Sequence, residues 1–252
     1  LSPKSTEWNA REGRWRARKQ LWRSLGIKGE LGRKNGLAYT IPKYMKDGQQ
    51  GRKAPNGTSI FDPVLCERVY SLWCPPGGLV LDPFAGGSVR GLVASIKGLR
   101  YWGCELRPEQ VEANVAQLSD ATTGLHAPHW ECGDSFEAIP NAPLADFVFS
   151  CPPYGDLEKY SDDPADLSNM PYEKFLDRYE EIVNRTCCRL CADSFACFVV
   201  SNFRDRRTGF LIDFVGDTVQ AFEQAGLTFE DEFILVTPVG SGALRINQIW
   251  KS

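Results

Sequence analysis

The chain has 252 residues, 42% of them hydrophobic and 24% charged, with a formal net charge of −3. That balance excludes a disordered or fibrous chain and predicts one sizeable core. No apolar run nears the roughly 20 residues that cross a bilayer, no signal-peptide pattern opens the chain, and nine scattered cysteines fit reduced thiols, so a cytoplasmic protein is expected.

The charge is unevenly spread. Residues 1–54 hold fourteen Lys and Arg against four acids, whereas the remainder holds fifteen against twenty-eight. A basic segment on an acidic body points to a polyanionic partner. Trp8, Trp15 and Trp22 recur every seven residues, with Arg11, Arg14, Arg16, Arg18 and Lys19 between them. On a helix the indoles form one stripe that docks on the main domain. The arginines then either contact backbone phosphates or are merely solvated. Gly26 to Gly57 is rich in Gly, Lys and Asn and reads as a linker or mobile loop. This divides the chain into a basic arm and linker, 1–57, and a main domain, 58–252.

The main domain opens with helix signals, Ser59 or Asp62 as cap followed by Val64, Leu65, Val69 and Leu72, and Cys74-Pro75-Pro76-Gly77-Gly78 stops that helix. Leu79 to Leu81 is a short buried strand. The turn Asp82-Pro83-Phe84-Ala85-Gly86-Gly87-Ser88 leads into a helical run through Val89, Leu92, Val93 and Ile96. Strand, glycine turn and helix is the opening of a nucleotide-binding α/β unit, since small residues let the backbone approach a ligand. The spacing fits neither GxGxxG nor GxxxxGK[ST], which excludes a nicotinamide oxidoreductase and disfavours phosphoryl transfer.

The alternation continues. Arg100 to Cys104 is a second strand ending at Glu105, and Pro108 starts a helix with Val111, Val115 and Leu118 facing inward. His129 to Cys132 is a third strand, ending at Gly133-Asp134-Ser135-Phe136. Three strands thus end in acids, Asp82, Glu105 and Asp134, along one crevice of a doubly wound sheet. The second suits ribose hydroxyls, and the third an adenine amino group with Phe136 beside the ring.

Asp146 to Phe149 is a buried strand that runs into Ser150-Cys151-Pro152-Pro153-Tyr154. The two prolines forbid helix and ladder alike, leaving a stiff turn whose carbonyls and aromatic ring suit a planar polar ligand such as a nucleobase edge. Further on, an amphipathic helix spans Pro171 to Leu190, a central strand Phe195 to Val200, a helix Phe210 to Gln224 and a strand Phe229 to Thr237. Arg204, Arg206 and Arg207 offer a second phosphate contact or a solvated turn. Cys187, Cys188 and Cys191 form a CCxxC cluster; with two His in the chain and no second CxxC, it reads as buried helix rather than metal site.

The glycine turn resembles the S-adenosylmethionine loop of DNA amino-methyltransferases, and Ser150-Cys151-Pro152-Pro153-Tyr154 resembles their catalytic tetrapeptide, an Asp, Asn or Ser followed by Pro-Pro and an aromatic. The likeness covers residues 58–240, and the 156–170 loop is similar to that of phage-borne DNA methylases. The resemblance implies a Rossmann-like mixed seven-stranded sheet with helices on both faces and S-adenosylmethionine as donor, held by residues 82–88 with Phe61, Glu105, Asp134, Ser135 and Phe136. It also implies DNA as substrate, duplex with a flipped base or single-stranded, and methylation of cytosine N4 or adenine N6 beside Tyr154.

One departure stands out: Cys151, a weak acceptor, occupies the first motif position. Three accounts compete. Pro152 or Ser150 carries the contact to the amine; or Cys151 is a nucleophile toward C6 of a pyrimidine, activating C5; or the domain binds DNA without turnover. An RNA methyltransferase shares the same donor fold. No separate target-recognition domain is visible, so the expected sequence preference is short unless a partner or second subunit, as in a homodimer, adds to it. The tail Leu244 to Trp250 is short for the final antiparallel strand.

Overall fold

The computed structural model describes residues 7–11, 13–29, 31–32, 61–120, 124, 126–155, 159–205 and 208–237. Strand β1 (Glu7–Asn9) and helix α1 (Gly13–Ser24) precede α2 (Pro63–Trp73). There follow β2 (Leu79–Asp82), α3 (Val89–Ile96), β3 (Arg100–Glu105), α4 (Pro108–Asp120), β4 (His129–Cys132), α5 (Ser135–Ala138) and β5 (Ala145–Ser150). Helix α6 (Tyr172–Cys187), strands β6 (Leu190–Phe198), β7 (Phe203–Arg204) and β8 (Leu211–Ile212), helix α7 (Phe214–Gln224) and β9 (Ile234–Val236) complete the order.

Five strands form one parallel sheet in the order β4-β3-β2-β5-β6. Parallel strands are covered on both faces, which explains why β2 and β5 read as unbroken apolar runs. The pleat sends neighbouring residues to opposite sides. Val80, Phe147 and Phe149 join a core with Tyr70 of α2 and Leu92 and Val93 of α3, whereas Leu79, Leu81 and Val148 join one with Ile139 and Ala142. A third cluster, centred on Phe175, Tyr179 and Phe214, glues α6 to α7. The fold is therefore the doubly wound α/β architecture with helices on both faces. The chain steps outward from β2 through β3 to β4, then returns to lay down β5 and β6 on the other side. The order thus reverses between β2 and β5, and a crevice opens at their carboxyl ends.

Several expectations need correction. Among the described residues the main sheet has five parallel strands, not seven in mixed directions. The strand foreseen at Phe195 to Val200 begins at Leu190 and lies at the sheet's outer position, not its centre. The strand foreseen at Phe229 to Thr237 shortens to β9, which leaves the main sheet and pairs in parallel with β1 through Trp8 and Leu235. The helix foreseen from Phe210 starts at Phe214, because Leu211 and Ile212 pair with Phe203 and Arg204. Ser59, most of the 26–57 linker and the 244–250 tail lie outside the described residues.

Helix α4 packs Val111 and Leu118 on the core as its apolar spacing predicts, but its inward face is wider and more polar than expected. Val115 is 50% exposed, while Gln110, Asn114 and Gln117 are buried. Helix α1 also differs in detail. Trp15 and Trp22 point into the core as the heptad spacing requires, but Trp8 comes from β1, where it meets Phe233 with centroids 4.9 Å apart. The docking is polar as well as apolar. Asp62 caps α2 at Val64 N (2.9 Å), and its other oxygen accepts from Trp15 Nε1 (3.2 Å) and Lys19 Nζ (2.8 Å). Glu67 accepts from Trp22 Nε1 (2.6 Å) and from Arg18.

Candidate active site

The glycine turn after β2 and the Pro-Pro turn after β5 meet at the reversal of strand order, joined through side chains. Ser150 Oγ donates to Asp82 Oδ1 at 2.6 Å and accepts from Phe84 N at 3.2 Å. Asp82 is fully buried and also accepts from Tyr101 Oη (2.7 Å) and Arg90 Nε (2.5 Å). Arg90 Nη2 reaches on to the carbonyls of Phe84 (2.5 Å) and Ala85 (2.9 Å), bracing the turn from behind. Burial alone would lower the Arg90 pKa, but the Asp82 carboxylate overrides it and the net shift is upward, so the guanidinium stays charged. Burial and the same carboxylate raise Tyr101 well above the usual phenol range.

This network reassigns two residues. Asp82 is expected at the donor, and Ser150 is one of two candidates, with Pro152, for the substrate amine; both Asp82 and Ser150 are enclosed and spend their hydrogen bonds on the framework. Phe84 packs on Tyr179 and Phe198 (6.1 and 6.3 Å between centroids), and Ala85 is buried with its N–H on the Cys104 carbonyl. Pro83 presents its carbonyl to Ser135 Oγ, which fixes Ser135 as a brace between the two loops. Phe61 lies under the Arg90 guanidinium at 4.5 Å and edge-on to Phe149.

What the turn offers to a ligand is Gly86 and Gly87, both partly exposed. Gly86 has φ +52°, a left-handed conformation that suits glycine, and the direction a Cβ would take from it is open space. Ser88 is buried, and its Oγ has no hydrogen-bond partner among the described residues, an orphan at the end of the cradle. Glu105 closes the side. Its carboxylate accepts from Arg107 N and Nε (3.1 and 3.2 Å), and burial raises its pKa against the pull of Arg107 and of the Gly86 N–H.

At the third acid the picture is more crowded than expected. Asp134 caps α5 by accepting from Phe136 N (2.9 Å) and pairs with Arg178 Nη2 (2.6 Å). The guanidinium carbons of Arg178 and Arg185 lie 3.3 and 3.4 Å from the Phe136 ring centroid. Two such groups at that height cannot share one face, so the ring is sandwiched. Phe136 is therefore no open platform; a planar ligand here meets its edge.

Across the crevice, Tyr154 Oη donates to the Val199 carbonyl at 3.1 Å, and the ring meets Phe203 and Phe214 edge to face (6.5 and 6.0 Å). Burial keeps its hydroxyl neutral by raising the pKa well above the usual range. Tyr154 is a pinned wall rather than a free-standing stacking ring. Cys151 Sγ lies 3.8 Å from Tyr154 Oη and is half-buried, beside the buried Pro152 and the half-buried Pro153. With Ser150 committed inward, the acceptors that remain in this turn for a substrate amine are the Cys151 sulfur and the Pro152 carbonyl.

Several of the basic residues are engaged with the protein's own groups. Arg18 and Lys19 are tied to Glu67 and Asp62, and Arg11 Nε donates to the Thr237 carbonyl at 2.9 Å. Arg14 and Arg16 lie on the exposed face of α1. Arg204 donates to the Gly209 carbonyl (2.9 Å), and Arg206 and Arg207 fall outside the described residues. Sequence reasoning missed Arg90 and Asn114. An arginine inside the apolar run after the glycine turn, eight residues from an acid, was the available signal for the first. No cluster of metal-binding side chains occurs among the described residues, and no described helix is long and apolar enough to cross a membrane.

No family model and no curated protein matches the chain. Several solved structures are similar to part of it. TrmN from Thermus thermophilus is 19% identical with a TM-score of 0.44, covering 55% of this chain and 38% of its own. A TehB-like SAM-dependent methyltransferase from Corynebacterium glutamicum is 19% identical with a TM-score of 0.46, covering 69% of this chain and 77% of its own. Precorrin 8w decarboxylase from Methanobacterium thermoautotrophicum is 13% identical with a TM-score of 0.47, covering 69% and 76%. The chain thus spans under two fifths of the TrmN length.

Proposed function

We propose that this chain is an S-adenosylmethionine-dependent methyltransferase acting on an exocyclic amine of a DNA base. The observation that carries the reading is the Ser150–Asp82 hydrogen bond, because it puts the glycine turn and the Pro-Pro-Tyr turn on opposite lips of one crevice at the strand-order reversal. The open space before Gly86, the orphaned Ser88 hydroxyl and the Glu105 carboxylate fit a nucleoside-bearing donor. Gly86, Gly87 and Ser88 would hold its amino-acid end, Glu105 its ribose hydroxyls, and Asp134 with the Phe136 edge its adenine. The donor supplies a methyl group already activated on a sulfonium, so the residues here have little bond-making to assist.

Their work is placement. The Pro152 carbonyl accepts one amine hydrogen and holds the nitrogen lone pair out of ring conjugation, with the Cys151 sulfur as a second, weaker acceptor. Tyr154 walls the base, which leaves its stack to enter. Exposed Arg14 and Arg16 supply phosphate contacts.

The test is transfer of labelled methyl to DNA followed by nucleoside mass analysis. N4-methylcytosine or N6-methyladenine is expected. Label in 5-methylcytosine would move the reading to attack by Cys151, and label confined to tRNA would overturn DNA as the substrate.

A further inference from the structure

Beside Val111 and Leu118, the inward side of α4 carries a row of buried amides that no core argument explains. Gln110 and Asn114 are 1% and 0% exposed, and in an apolar core each would cost free energy unless fully bonded. They are bonded, and the bonds lead somewhere. Asn114 Nδ2 donates to the Gly86 carbonyl at 2.8 Å. Gln110 Nε2 donates to Asn114 Oδ1 (3.0 Å) and to the Leu31 carbonyl (3.0 Å), and Gln110 Oε1 accepts from Arg107 Nη2 (3.0 Å), whose Nε holds Glu105. One turn on, Gln117 Oε1 accepts from Lys28 N at 2.9 Å. The backbone reaches α4 because Gly32 has no side chain. A Cβ there would lie 2.5 Å from Gln110 Nε2 and 2.8 Å from Ala113 Cβ, and its φ of +78° already suits glycine.

We propose that Gln110 and Asn114 are positioning residues for the donor: they key the Gly86 turn and Glu105 to the backbone at Leu31, with Gln117 fastening Lys28 beside it, so that the amino-terminal segment is a working part of the donor site. The inference rests on the donor-binding reading above. It gives the basic segment a role beyond phosphate contact, because whatever settles this segment on α4 also settles the turn that grips the donor.

S-Adenosylhomocysteine is the probe, titrated by calorimetry into the unaltered chain and into Asn114→Asp, which still accepts from Gln110 but cannot donate to Gly86, and into Gly32→Ala, which lifts the segment from a distance. Each variant is expected to bind about tenfold more weakly, the usual scale of such coupling. In the unaltered protein, bound S-adenosylhomocysteine should slow amide exchange at residues 27–32, a readout that does not depend on how well a variant folds. Equal affinities with unchanged exchange would overturn the inference and leave the donor reading intact. Failure of the unaltered chain to bind the probe would overturn the donor reading, and this inference with it.

Discussion

Asp82 and Ser150, sixty-eight positions apart, share a 2.6 Å hydrogen bond at the end of two neighbouring parallel strands. Around that bond four further donors converge, so the rim of the crevice is held by a buried charge and not by packing alone.

Arg90 is the group whose loss is felt most. Arg90→Met leaves the Asp82 carboxylate buried and unpaired, and should lower unfolding stability by about 3–5 kcal/mol. Adding Asp82→Asn should recover part of it, because the lone charge goes too. Urea denaturation of the single and double variants checks both; a single-variant loss below about 1 kcal/mol would contradict the network.

Cys151 separates two chemistries. If placement by the Pro152 carbonyl suffices, Cys151→Ser keeps methyl transfer within about tenfold of the parent, since a hydroxyl accepts better than a thiol. A covalent route loses all transfer in the same variant, because the hydroxyl is not a comparable nucleophile. Initial rates with labelled donor decide it.

Glu105 carries a stability cost with a direction in pH. Its folded pKa is raised, chiefly by burial, so the folded state holds the proton more tightly than the unfolded one. Its contribution is thus most favourable below the unfolded value of 4.5 and is lost as pH rises through the folded value. Glu105→Gln should therefore raise the melting temperature at pH 7.5 and leave it nearly unchanged at pH 4, while weakening S-adenosylhomocysteine binding about tenfold. Loss of stability at pH 7.5 would refute the sign.

Deleting residues 1–54 is no clean test of nucleic-acid contact, because Trp8, Trp15 and Trp22 belong to the main core. Arg14→Ala with Arg16→Ala tests it instead. The pair should weaken duplex binding and flatten the log–log salt slope by about two. Arg18→Met, whose partner is Glu67, should leave that slope alone and cost at most about 1 kcal/mol.

Much of the scaffold was legible because parallel strands announce themselves. Leu79 to Leu81, Arg100 to Glu105 and His129 to Cys132 each sit where apolar runs between turn residues place them. The two turns of the site were legible for the same reason. The missed features of the site share one cause: burial by hydrogen bonding leaves no hydrophobic trace. Asp82 and Ser150 look like ligand groups in a sequence and turn out to be braces. Gln110, Asn114 and Gln117 recur at helical spacing, yet an amide face reads as solvent until a second segment covers it. The outer place of Leu190 to Phe198 was illegible too, since an apolar strand looks central wherever it lies.

The small ribbon of β1 and β9 has an implication for synthesis. Trp8 finishes its packing only against Phe233, and Glu7 to Asn9 finds its pairing partner only at Ile234 to Val236. A ribosome emits those partners more than two hundred residues later. Glu7 to Asn9 is therefore fastened long after it is made, and until then the Trp8 indole is open on one side to chaperones.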